Sequence, residues 1–186
     1  AHSIVRHAPD ATTLLAMLTE SDRPSAVAGW DTQLGIAVRR WCAPLLGLDQ
    51  SASGEAYLER RLPLSPADAG VTFLGPSGID AIVIDTGFRS DALIDPAELG
   101  RLAGARVALV ARLESIAEDL ARAGVSATGY PAAFRAAIAA ALPSCVGFKT
   151  VLAYRGGLDI DPDPPSDAEV VQAASGWLAG VEMSGS

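Results

Sequence analysis

The sequence predicts an α/β fold in which parallel strands alternate with helices. Three observations carry this. Continuous β-branched apolar runs recur at "IDAIVIDTGF", "ARVALVARLE" and "SCVGFKTVLAY", the pattern of strands in an all-parallel sheet. Helical stretches separate these runs, as right-handed β-α-β connections require. The composition is 49% hydrophobic with 5% aromatic residues, which suits small, closely packed helices laid against a sheet.

In chain order, "DATTLLAMLTES" has apolar residues at helical spacing behind Asp10 as N-cap. "WDTQLGIAVRRWCAPLLG" repeats the pattern, with Leu34, Val38 and Trp41 on one stripe, Pro44 as a stop or kink and Gly47 as closure. "GEAYLERR" is a shorter helix with a charged face. The latter two form a helical insertion, about residues 31–63, in a single α/β domain of residues 1–186. The run at "IDAIVIDTGF" is then a strand buried on both faces, ending in an Asp-Thr-Gly turn. After the "ARVALVARLE" strand comes the helix "SIAEDLARAG", with a capping box from Ser115 to Glu118 and a stop at Gly124. "YPAAFRAAIAAALP" is a helix with Pro131 in its first turn. The third run is followed by a Gly-Gly turn, a Pro-rich loop and a last helix, "DAEVVQAASGWLAG". If "HSIV" is the tail of an opening strand, there are four strands.

Charge and composition exclude several functions. A net charge of -8 repels phosphate backbones, and no basic patch offsets it, so nucleic acid is not an expected partner. No apolar run approaches the roughly 18 residues that span a bilayer. The opening "AHSIVRHAPD" lacks a signal-peptide pattern. Cys42 and Cys145 follow no metal spacing and read as reduced thiols of a cytoplasmic protein. The dinucleotide fingerprint, the P-loop and the nucleophile elbow are missing; "GPSG" has neither the lysine nor the spacing of a P-loop.

Ligands of parallel α/β folds bind beyond the carboxyl ends of the strands. There the sequence places Asp85 and Thr86, then Arg112 and Glu114 two apart on one strand face, then Lys149, with Tyr154 and Arg155 at the last strand's exit. Each has a bland reading. Glu114 can serve the dipole of the following helix, and Arg112 can neutralise Glu114. Asp85 can bond the amides of its own turn, and Tyr154 and Arg155 can decorate a loop mouth. Lys149 is harder to dismiss. It is the one lysine of the chain, set in an apolar run where an ammonium loses several kcal/mol of hydration unless paired or neutral.

With a histidine at the first strand, "DAIVIDTGF", "VARLESIAEDL" and above all "GFKTVLAYRGGLDI", the chain resembles the N-terminal half of an amidohydrolase-related protein. That family comprises metal-dependent hydrolases built on a (β/α)8 TIM barrel. The resemblance implies the first four strands of such a barrel, with His2 the second histidine of a strand-one pair and Lys149 the strand-four ligand. Lys149 would then be both catalytic and metal-binding, carboxylated if the centre is binuclear. Arg155, Tyr154, Glu114, Arg112 and Asp85 would lie on the substrate side. The cofactor implied is a divalent metal, zinc foremost, with further ligands outside this chain. The reaction implied is metal-assisted hydrolysis of a C–N or C–O bond in a small polar substrate. A closed barrel takes about 250 residues, so the chain reads as a half, completed by a homo-oligomer or a complementary half-barrel. Two other readings stand: a class I aldolase-like lyase using Lys149 as its Schiff base, and a non-catalytic α/β module that pairs through open sheet edges.

Overall fold

Ser, Thr, Asp and Pro set the helix starts of this chain. The computed structural model describes residues 4–19, 29–87 and 90–184. Helix α1, Ala11–Ala16, begins at Asp10, whose carboxylate accepts the Thr13 N–H at 2.7 Å. Thr32 caps α2, Gln33–Cys42, and Ser53 caps α3, Gly54–Arg61. Pro44 opens a 3-10 turn after α2, which closes on Gly47 in the left-handed region at φ 73. Ser65 and Pro66 start α4, Pro66–Leu74. Strand β1, Ala81–Asp85, follows, and then Asp95 and Pro96 start α5, Pro96–Ala103. The chain continues through β2, Arg106–Arg112, α6, Leu113–Arg122, and α7, Tyr130–Ala141. Strand β3, Gly147–Lys149, leads into a short α8, Ala153–Gly156, and the long α9, Asp167–Ser184.

The described residues divide into two compact units, and the division passes through β1 and β2. The first unit (the described parts of residues 4–82 and 90–107) is helical. Its buried residues include Ala43, Tyr57, Ala69, Leu99 and Leu102. Small residues decide its closest packing. Gly70 lets α4 approach α5, since a Cβ there would lie 3.1 Å from the Leu102 side chain. Trp30 is seated between Gly35 and Gly54 and meets the Tyr57 ring edge-on, with centroids 5.4 Å apart.

The second unit (83–87 and 108–184) holds the carboxyl ends of the strands. The strands form a small parallel sheet in the order β1-β2-β3. β2 and β3 are in register with Val110 opposite Gly147, Ala111 opposite Phe148 and Arg112 opposite Lys149. Tyr130 fastens the helices beside it. Its hydroxyl donates to the Ala117 carbonyl at 3.0 Å, and its ring packs on Phe134 and on the edge of Trp177.

The mixed α/β class holds, with differences in detail. "HSIV" falls partly on residues outside the described ones; of its remainder, Val5 forms an isolated antiparallel bridge with Leu93 rather than a parallel strand. The described sheet has three strands. β1 is covered on one side only: Ile84 is buried while Val83 is 46% exposed, so a continuous apolar run did not mean two covered faces. The third run stops being a strand at Lys149, because Thr150 and Val151 bond a side chain instead of a ladder. Tyr154 and Arg155 consequently stand on α8. The capping box does not form either. α6 starts at Leu113, and Ser115 donates to the Gly87 carbonyl at 3.0 Å, while Glu118 accepts from Arg122. Glu114 is therefore a first-turn helix residue and does not share a strand face with Arg112. Helices α4 and α5 had no counterpart in the sequence reading.

A Cβ on Gly35 would overlap the Gly29 carbonyl and come 2.7 Å from Trp30 Cα. Because backbone cannot yield as a flexible side chain does, Gly35→Ala is expected to destabilise the protein by about 1–3 kcal/mol. Urea unfolding measures the loss, and an unchanged midpoint would contradict this packing.

Candidate functional site

Three neighbouring strands end on three ionisable residues. Asp85 is the last residue of β1, Arg112 of β2 and Lys149 of β3. The parallel register sets Arg112 beside Lys149, and both reach the same carboxylate. Arg112 Nε donates to Asp85 Oδ2 at 2.9 Å, and Arg112 Nη2 also bonds that oxygen. Lys149 Nζ donates to it at 3.0 Å. The other oxygen, Oδ1, accepts the Gly87 N–H at 2.8 Å.

Asp85 has no solvent exposure, whereas the Lys149 side chain is 34% exposed. Burial by itself would raise the Asp85 carboxyl. The bonds from Arg112, Gly87 and Lys149 outweigh it and bring the group from 3.8 down to about 2. Asp85 is thus a fixed anion that orients two cations, one of them within reach of solvent.

A second carboxylate braces the cluster. Glu114, in the first turn of α6, accepts the Thr150 hydroxyl at 2.5 Å and the Val151 N–H at 3.0 Å, both on Oε1. Burial pushes its carboxyl up, and the Thr150 hydroxyl, backbone N–H groups and Arg112 pull it below the ordinary carboxylate value. Its Oε2 is buried without a hydrogen-bond partner. A Cβ on Gly87 would lie 2.7 Å from Ser115 Oγ and 3.0 Å from Arg112 Cβ, so a side chain here would have to displace the Ser115 hydroxyl. A cavity of about 530 Å3 opens beside these residues, lined by Gly87, Arg112, Glu114, Ser115, Val151 and Trp177 among others.

Of the residues singled out from sequence, Asp85, Arg112 and Lys149 meet directly, with Glu114 next to them. The turn reading of Asp85 holds through Oδ1, while Oδ2 binds the two cations, a pairing the residues alone did not indicate. Arg112 bonds Asp85, and its charge also helps lower the Glu114 carboxyl, part of what its bland reading had. Tyr154 lies outside the cluster and is 86% exposed. Arg155 is placed on α8 by its backbone, and His2 lies outside the described residues. Sequence reasoning missed Thr150, Ser115 and Gly87; the "DTG" turn was a usable pointer to Gly87.

The described donors do not make a metal centre. Among the described residues no three His, Cys, Asp or Glu side chains converge. Both oxygens of Asp85 are also occupied by donors, two of them cationic. An arrangement of two cations on one carboxylate suits an oxygen-bearing or anionic group better than a divalent cation.

No family model and no curated protein matches the chain. A crystal structure from Lactobacillus casei, called a "putative metal-dependent hydrolase", matches with a TM-score of 0.69 and 24% identity over 97% of this chain and 47% of that one. The chain therefore shares its fold and spans about half the length of that structure.

The low Asp85 value gives acid sensitivity a definite sign. A depressed folded value contributes stability that is present above the ordinary value and lost as pH falls toward the folded one. Acidification from about pH 4 to about pH 2 is expected to cost about 2 kcal/mol through this group. Asp85→Asn should remove that part of the acid limb and lower stability at neutral pH, since two cations then face no charge. Urea unfolding across pH for both proteins checks it. Parallel acid limbs would remove Asp85 as the cause.

Proposed function

We propose that this chain is the N-terminal half of an amidohydrolase-type barrel and contributes strand-end groups to the hydrolysis of a C–N or C–O bond in a small polar substrate. The observation that carries the reading is the convergence of Asp85, Arg112 and Lys149 at the ends of three neighbouring parallel strands, where such folds hold their ligands. The shared fold with a protein named as a "putative metal-dependent hydrolase" supports it.

In this reading Lys149 is the working group. Its reachable ammonium offers a hydrogen bond and a positive charge to the substrate oxygen that gains charge during attack. Asp85 fixes the direction of that ammonium, and Arg112 fixes Asp85. Arg112 and Glu114 would meet the polar parts of the substrate through the adjoining cavity, with Tyr154 and Arg155 farther along the chain on α8. A divalent metal, zinc foremost, would need His2 and ligands outside this chain, since Lys149 donates to Asp85 as an ammonium. The described donors by themselves fall short of such a site. β3 is an edge of the described sheet, with Val146 68% exposed beside it. A second copy or a complementary half would cover that edge.

Lys149→Met keeps an unbranched side chain one atom shorter and removes its charge. Across a panel of small amides, lactones and imines, the folded variant is expected to lose about a hundredfold or more in kcat/KM, the scale of one lost oxyanion donor, and to melt below the wild type because Asp85 loses one of its donors. Wild-type turnover in the variant would defeat the assignment. Borohydride trapping of substrate on Lys149 would instead favour the aldolase-like reading, and elemental analysis of the active protein tests the metal.

A further inference from the structure

We infer that Glu114 is a positioning residue that holds the Lys149 ammonium on Asp85. The inference rests on the reading above that Lys149 is the working group. β3 has three residues, and Lys149 is its last, so the β2 ladder alone gives its Cα little restraint. The next two residues are tied elsewhere: the Thr150 hydroxyl and the Val151 N–H both donate to Glu114 Oε1, at 2.5 and 3.0 Å. Thr150 Oγ1 also accepts the Leu152 N–H at 3.1 Å, which carries the restraint into the turn before α8.

Glu114 is anchored at its own end by α6, two residues beyond Arg112. A closed circuit results. From Asp85 it passes to Lys149, through Thr150 and Val151 to Glu114, along the chain to Arg112, and back to Asp85. Opening it at Glu114 frees the backbone beside Lys149 without touching either cation's bond to Asp85. Glu114 Oε1 accepts both bonds while Oε2 has no partner. The two bonds on Oε1 ask for a well-placed carbonyl-type oxygen, which an amide also offers.

The single lysine of the chain permits a direct test. Lys149 is reductively methylated in the folded protein, and its rate is read by peptide mapping, which separates it from the terminal amine. Asp85→Asn, which removes the charge opposite the amine, is the positive control. Glu114→Ala is expected to raise the Lys149 rate about tenfold, the scale of a lost hydrogen bond to a charged group. Thr150→Val should raise it less, and Glu114→Gln should stay near wild type because its amide oxygen can accept the same two bonds. If Glu114→Ala does not fold, the Thr150→Val and Glu114→Gln rates decide. Wild-type rates in Glu114→Ala or Thr150→Val, with Asp85→Asn raised, would overturn the inference. So would a Gln variant as reactive as the Ala variant. The labelling rate does not involve turnover. A braced but catalytically idle Lys149 would therefore defeat the proposed function and leave this inference intact.

Discussion

The arrangement around the site depends on one buried carboxylate. Asp85 ends β1 with no exposure to solvent, and an isolated ion in that position would cost several kcal/mol. What offsets the cost comes from three directions: its own turn through Gly87, the neighbouring strand through Arg112 and the next strand through Lys149. A slip of β3 by one residue would send Lys149 to the other face of the sheet and leave Asp85 one donor short. Strand register and site electrostatics are therefore a single constraint.

The strand-to-helix junctions carry the same logic outward. Arg112 is at once the last residue of β2 and the residue before α6, so the guanidinium that meets Asp85 is fixed by the start of a helix. Within that first turn, Glu114 reaches the segment after β3 and Ser115 reaches the carbonyl of Gly87 after β1. One helical turn thus braces the exits of both flanking strands. Of the central trio, Lys149 has the most exposed side chain, 34% against 11% for Arg112 and none for Asp85.

Much of this was legible in the residues themselves, and what was not has an identifiable cause. Asp10 caps its helix, Pro131 sits in a first turn and "GEAYLERR" coincides with α3 because these signals act within three or four residues. The Ser115–Glu118 box had the right residues in the right spacing, yet Ser115 found a better-placed acceptor in Gly87, far away in sequence. "FKTVLAY" reads as strand by composition, but Glu114 captures Thr150 and Val151 and turns the chain into α8. The starts of α4 and α5 carry the same Ser-Pro and Asp-Pro signals as the helices that were found.

The sequence alone determined the local matters: where most helices begin, which three runs become strands, and that Asp85, Arg112, Glu114 and Lys149 collect toward the strand ends. Tertiary structure decided which of them touch. The bonds that define the cluster join residues 27, 36 and 64 positions apart, and contacts that distant follow from strand order and register. No cap, turn or period encodes them. Residue type told that an isolated lysine in an apolar run needed a partner; the parallel alignment of β1, β2 and β3 chose Asp85.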